Sequence, residues 1–173
     1  MSHTISHGAS SLAGLAQLSA ALIDDRSAMS SAENLLVGGH EAPDVEFIER
    51  TRQEIKEGAD PLGTQYCQIH SRDDRRPLGQ TYTPGPIIEA MISWARAKGA
   101  PERIIDPGSG SGRYLLAAAE AFPDARVVAV EVDPMSALMV RANIAVRGLG
   151  DRAAVHVGDY RSLELPEIEG STL

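Results

Sequence analysis

The stretch IIDPGSGSGRYLLAAA, residues 104–119, decides how this chain is read. Two isoleucines run into an acid and a proline. Three glycines then alternate with serines, and an alanine- and leucine-rich segment follows. The order is strand, tight loop, helix. Gly108, Gly110 and Gly112 permit a sharp turn with main chain close to a ligand. A helix that starts after such a loop turns its unpaired N–H groups toward the same place.

The alternation continues downstream. RIID (103–106), RVVAVEV (126–132) and AAVHVGDY (153–160) read as strands, and GRYLLAAAEAF (112–122) and PMSALMVRANIAVRGLG (134–150) as helices. The strands are near-continuous apolar runs bounded by acids. That is the pattern of a parallel sheet buried on both faces, as in doubly wound α/β folds. Just upstream, a further helix is predicted. It has a cap-like Thr83, Pro84 at the first helical position, an apolar face of Ile87, Ile88, Met91, Ile92, Trp94 and Ala95, and a stop at Gly99.

Residues 1–78 read as a helical amino-terminal extension, and residues 79–173 as the ligand-binding domain. Leu12, Leu15, Leu18, Leu22 and Ile23 recur at helical spacing. DVEFIERTRQEIKEG (44–58) is a solvent-facing helix, and a third short helix covers 61–70. SSAENLLVGGHEAP (30–43), broken by Gly38, Gly39 and Pro43, reads as a linker. Nothing in the extension carries recognisable chemistry, and it is expected to be a separable layer.

Composition narrows the function classes. The chain has 173 residues and a net charge of -8, and neither half carries a basic excess. It is not a free-standing nucleic-acid binder, so basic surface for DNA would lie elsewhere or be very local. Cys67 is the only cysteine, which rules out an internal disulfide. His3, His7, His40, His70 and His156 have no metal-ligand spacing, so no metal is expected. No apolar run approaches the ~20 residues of a membrane span, and no Lys or Arg precedes the apolar stretch 11–23. A cytoplasmic protein is expected.

In a parallel sheet of this kind, the ligand lies off the carboxyl ends of the strands. The acids fall at those ends: Asp106 after the first strand, Glu131 and Asp133 at the second, Asp159 after the third. A dinucleotide fingerprint, G-x-G-x-x-G, fails here, because the sixth position, counting Gly108 as the first, is Arg113. An acid ahead of the loop also repels a pyrophosphate, whereas it suits a cationic ligand with an amino group, such as S-adenosylmethionine. Glu131 can accept from both ribose hydroxyls, a feature shared with NAD sites. Asp159 can accept from an adenine amino group, with Tyr160 stacking on the ring. Ser109 and Ser111 do not form the G-x-S-x-G elbow of a serine hydrolase.

GQTYTPGPIIEAMISWA, IIDPGSGSGRYLLAAAE, VVAVEVDP and VHVGDY together resemble the amino-terminal half of an adenine-specific (N6) DNA methyltransferase of restriction–modification type. The resemblance covers roughly residues 75–173 and implies a Rossmann-like class I methyltransferase fold with S-adenosylmethionine as cofactor. It implies that the Tyr82-Thr83-Pro84 segment, through Thr83, helps hold the methionine end of the cofactor. Asp106 would lie by the methionine amino group, within the loop Gly108, Ser109, Gly110 and Gly112. Glu131 would bind the ribose with Val132 against the adenine, and Asp159 and Tyr160 would hold the adenine. DNA is the implied partner, with restriction or specificity subunits beside it and no membrane.

One departure matters. The family's catalytic Asn/Asp/Ser-Pro-Pro-aromatic segment is absent, since no Pro-Pro occurs in the chain. The chain is therefore expected to be the cofactor-binding part of a methylase with an incomplete sheet. No catalytic residue is assigned, no activity on DNA is expected from the chain alone, and the first strand should be left as an open edge. A methyltransferase of RNA, protein or a small molecule, and a non-catalytic cofactor-binding module, stay as alternatives. The Tyr82-Thr83-Pro84 segment favours the DNA class.

Overall fold

The computed structural model describes residues 11–39, 42–71, 83–167 and 170–173. Among the described residues, five helices precede the first strand: α1 (Leu12–Ala21), α2 (Ser31–Val37), α3 (Val45–Lys56), α4 (Pro61–Ile69) and α5 (Gly85–Arg96). Then β1 (Arg103–Pro107), α6 (Arg113–Ala121), β2 (Arg126–Glu131), α7 (Pro134–Val146) and β3 (Ala153–Val157) follow, with a single 3-10 turn at Tyr160–Ser162. The strands are parallel in the order β1-β2-β3. Asp106 stands beside Ala129, and Glu131 beside Val157. All three strands therefore end on one edge of the sheet.

α5, α6 and the inner side of α7 cover one sheet face. Ile88, Ile92, Leu115, Ala118, Val140 and Ile144 pack there against Ile104, Val127 and Ala129. After the 3-10 turn the chain returns to the start of β1, where the Pro166 carbonyl accepts from Arg103 Nη1 at 2.6 Å.

α7 explains the rest of the arrangement. Ten of its residues are buried, from Met135 through Val146. A helix that is apolar on all sides needs cover on all sides. The sheet supplies one side. The amino-terminal helices supply the other: Leu15, Leu18, Leu22, Ile55, Leu62 and Tyr66 form one core with Met135, Leu138, Met139 and Ala142. The amino-terminal helices are therefore packed on the sheet domain, and removing them would expose the outer face of α7.

The expected linker is also corrected. Residues 31–37 are the helix α2, opened by a capping box in which Ser30 Oγ accepts from Glu33 N and Glu33 returns the bond to Ser30 N. The breaks at Gly38 and Gly39 are real but come after a full helix. Glu33, at 0% exposure, pairs with Arg141 of α7 through contacts of 3.0 and 3.3 Å. Arg141 Nη2 also donates to the Val155 carbonyl of β3. One ion pair thus ties helix α2, helix α7 and the sheet together.

Two expected boundaries shift at α5 and β1. Pro84 is the N-cap of α5 and makes no side-chain cap bond. Pro86 takes the first turn, so Thr83 lies outside the helix. β1 is not an open edge either. Residues 171–173 lie parallel to it: Glu102 N donates to Ser171 O at 3.0 Å, Ile105 N to Leu173 O at 2.9 Å, and Leu173 N to Arg103 O at 2.9 Å. A β-carbon on Gly170 would meet the Glu102 carboxyl, so any other residue here would require that exposed side chain to swing away.

Removing one partner of the Glu33–Arg141 pair leaves a buried charge alone. Glu33→Ala should therefore cost about 3–5 kcal/mol, a melting shift of about 10 °C for a chain of this size. Replacing both residues by Leu and Met should recover most of the loss in thermal melts. Equal losses in single and double variants would show that the pair contributes no buried charge balance.

Candidate cofactor site

The site sits at the carboxyl edge of the sheet. As β1 ends, Gly108 N and Ser109 N both donate to the Val130 carbonyl, at 2.7 and 3.2 Å, which turns the loop over the end of β2. Gly108, Gly110 and Gly112 have φ of 78°, 56° and 90°, a region that penalises any other residue. A β-carbon on Gly108 or Gly110 would meet nothing within 4 Å, so this side of the loop faces open space. Gly112 is different. Its β-carbon would fall 2.6 Å from Val140 Cγ2, so the glycine also seats α6 against α7. Ser109 is buried, and its Oγ has no hydrogen-bond partner among the described residues.

Glu131 is the organising acid. It is 4% exposed. Its Oε2 accepts from Gly110 N at 2.9 Å, and its Oε1 accepts from Val132 N at 2.8 Å and Asp133 N at 3.0 Å. A carboxylate offers about four acceptor positions, so one remains on Oε2. Glu131 thus links the glycine loop after β1 to the turn after β2.

Asp106 ends β1 and is partly buried. Burial, and to a smaller degree the nearby Glu131 charge, push its carboxyl up to about 6. The same carboxylate, together with burial, raises the Tyr114 phenol above its ordinary range. Neither Asp106 nor Glu131 has a cationic partner among the described residues.

The third strand end is occupied differently. Asp159 caps the 3-10 turn by accepting from Arg161 N, and Arg161's guanidinium grips both carboxylate oxygens, with Nη2 2.6 Å from Oδ2. This hydrogen bonding holds the Asp159 carboxyl down at about 2. An adenine amino group would compete with Arg161 for it. Val132 (57% exposed) and Tyr160 (46% exposed) present apolar surface after β2 and β3. Thr83 and Pro84 lie at the entrance of α5, whereas Tyr82 falls outside the described residues. Among the described residues no cluster of His, Cys, Asp and Glu could hold a metal, and no helix is long and apolar enough to cross a membrane.

The residues that sequence reasoning missed lie behind the loop. Ser111 Oγ donates to Asp60 Oδ2 at 2.6 Å, and the Ser111 carbonyl accepts from Asn143 Nδ2 at 2.8 Å. Tyr66 donates to Asp133 Oδ2 at 3.1 Å; this same Asp133 carboxylate caps α7 by accepting from Met135 N and Ser136 N. The local signal at Asp60 is an N-cap acid followed by Pro61. Its contact with Ser111, fifty-one residues away, leaves no trace in spacing.

Residues 59–171 match the N-6 DNA Methylase family. The chain is 45% identical over 169 residues to the Type II methyltransferase M.XamI of Xanthomonas campestris pv. amaranthicola, covering 91% of this chain and 30% of that protein. It is 34% identical over 89 residues to a tRNA1(Val) (adenine(37)-N6)-methyltransferase of Porphyromonas gingivalis, covering 51% and 35%. The chain therefore spans about a third of the length of these relatives. Among solved structures, an RNA methyltransferase from Salinibacter ruber in complex with S-adenosyl-L-homocysteine aligns with a TM-score of 0.43 and 30% identity, over 48% of this chain and 53% of that one.

Because its carboxyl is raised in the folded state, Asp106 contributes stability that is full below about 3.8 and lost as pH rises through about 6. Asp106→Asn should accordingly melt above the parent chain at pH 7.5. The difference should vanish as the pH falls from 6 to 4. A melting difference independent of pH would show that Asp106 is not desolvated as described.

Proposed function

The chain belongs to the N-6 DNA methylase family, with the Rossmann-like fold of a class I methyltransferase, and from that premise we propose that it is the S-adenosylmethionine-holding part of a DNA adenine-N6 methyltransferase. The observation that carries the reading is the pair Asp106 and Glu131: two carboxylates at adjacent parallel strand ends, with no cationic side chain paired to either among the described residues, beside a glycine loop with an open side.

The residues fit the cofactor. Asp106 can hold its ammonium group, which returns the carboxyl to its ionised form. The orphaned Ser109 Oγ and the main chain at Gly108 and Gly110 face the methionine end. Glu131 has one acceptor position open for a ribose hydroxyl, and taking the second hydroxyl requires the Gly110 N–H to yield its place. Val132 and Tyr160 flank the adenine ring, and Asp159 meets its amino group once Arg161 releases one oxygen. Tyr82, Thr83 and Pro84 are assigned to the methionine end from the family motif. When bound, the cofactor supplies an electrophilic methyl group on a sulfonium centre. The chain's own residues bind it, orient it and balance its charge. None is assigned a catalytic role toward the target base.

The substrate proposed for the whole enzyme is adenine in DNA, with restriction or specificity subunits as partners. The division into residues 1–78 as a helical extension and 79–173 as the cofactor-binding part belongs to the same proposal. In it, the extension completes the core around α7.

Titration calorimetry tests the ligand. S-adenosylmethionine should bind and NAD should not, and Glu131→Gln should weaken binding at least about tenfold through the lost charge-assisted bonds. Affinity should also fall as pH drops below about 6, because Asp106 must ionise to meet a cation. Tighter binding of NAD, or affinity unchanged through that range, would overturn the assignment.

A further inference from the structure

Asp60 belongs to the amino-terminal helices, yet its carboxylate holds the glycine loop from behind. Its Oδ2 accepts the Ser111 hydroxyl at 2.6 Å and lies 3.5 Å from Arg113 Nε, and its Oδ1 accepts from Gly63 N at 2.9 Å. The Asp60 side chain is 12% exposed and Ser111 is 1% exposed, so these bonds are sheltered from water. The approach is as close as packing allows. A β-carbon on Gly63 would fall 2.2 Å from Asp60 Oδ2 and 2.7 Å from Ser111 Oγ, so the first turn of α4 reaches the loop only because residue 63 is glycine.

Ser111 is thereby fixed at its hydroxyl by Asp60 and at its carbonyl by Asn143. It sits between Gly110, whose N–H is aimed at Glu131, and Gly112, which starts α6. One turn further along α4, Tyr66 donates to Asp133, which follows Glu131 by two residues. Helix α4 therefore braces both segments that carry the acidic receptor: the loop after β1 and the turn after β2.

We propose that Asp60 is a positioning residue for the cofactor site: by gripping Ser111 it sets where Gly110 and Glu131 stand, so that the amino-terminal helices govern affinity at a site none of them touches. A charged acceptor is the right group for this, because its hydrogen bond to a buried hydroxyl is shorter and stronger than a neutral one. An asparagine at position 60 can still accept from Gly63 N, but it carries no charge and meets the Ser111 hydroxyl only by donating its amide N–H, a weaker neutral bond. The inference rests on the reading that the strand-end site binds S-adenosylmethionine.

The test is S-adenosylmethionine titration of the 173-residue chain, of Asp60→Asn, of Ser111→Ala and of the double variant, well below their melting temperatures. Each single change should weaken binding about tenfold, as loss of a group supporting a ligating residue does. The double variant should be no weaker than the poorer single, because both delete one bond. Glu33→Gln destabilises the opposite side of α7 without reaching the loop, and it should leave affinity unchanged. If Glu33→Gln weakens binding as much as Asp60→Asn, the effect is general loosening and the proposal fails. It fails equally if Asp60→Asn binds like the parent, or if the losses multiply in the double variant. If Asp60→Asn does not fold, Ser111→Ala decides alone, since it deletes one oxygen from the same bond; parent-like affinity there would overturn the proposal. A parent chain that binds no S-adenosylmethionine would instead overturn the cofactor reading itself.

Discussion

Everything in this structure is arranged around a helix that cannot face water. α7 is apolar on every side, and its few polar groups are obliged to find partners inside the protein. Ser136 donates to Asp133, Arg141 to Glu33 and Val155, and Asn143 to Ser111. Only Asn143 Oδ1 is left without a partner among the described residues of α7. These polar contacts do more than satisfy hydrogen bonds. They place α7 in register with the sheet on one side and the amino-terminal helices on the other. A purely greasy helix would leave that register to packing alone.

The second consequence is electrostatic. The cover that α7 requires brings α4 against the back of the glycine loop, while the strand register brings Asp106 and Glu131 together at the front. Glu131 tolerates burial because three main-chain N–H groups converge on it. At Asp106 burial outweighs the support of the Leu115 main chain, and the carboxyl holds its proton more tightly. A group kept off balance in the free protein, and relieved by a cationic ligand, is a common signature of a binding site. On the proposed reading, the stability given up at neutral pH leaves a charge available for the cofactor.

Much of this was legible in the sequence, and the parts that were not share a cause. The strands, the glycine loop and the acids at the strand ends could be read because each depends on neighbours a few residues away. Gly112 after Ser111 and Pro134 after Asp133 are local signals of local geometry. The helix α2 was hidden because Gly38, Gly39 and Pro43 drew the eye past the Ser30–Glu33 capping box. The role of Asp60 was hidden more deeply. Nothing near it distinguishes an ordinary helix cap from a brace for a loop fifty-one residues away. The partner of Arg141, Glu33, lies 108 residues upstream, and only the fold identifies it. Arg161's grip on Asp159 was likewise open to a sequence reading, since the two are separated by one residue, yet its consequence for an adenine contact needs the geometry.

The strand order adds a final step. β1 is followed in the chain by β2 and then β3, each added on the same side, whereas residues 171–173 return to pair on the other side of β1. The direction of winding therefore reverses beside β1. In open parallel sheets the loops on either side of such a reversal leave in opposite directions, and the crevice between them receives the ligand. The strand that borders the reversal is the one that ends in Asp106 and runs into Gly108 and Gly110. The acid and the glycines after β1, rather than those after β2 or β3, stand beside that reversal. The cofactor site proposed at Asp106 and Glu131 thus lies where the sheet changes its direction of winding, while Asp159, at the far strand, is held by Arg161.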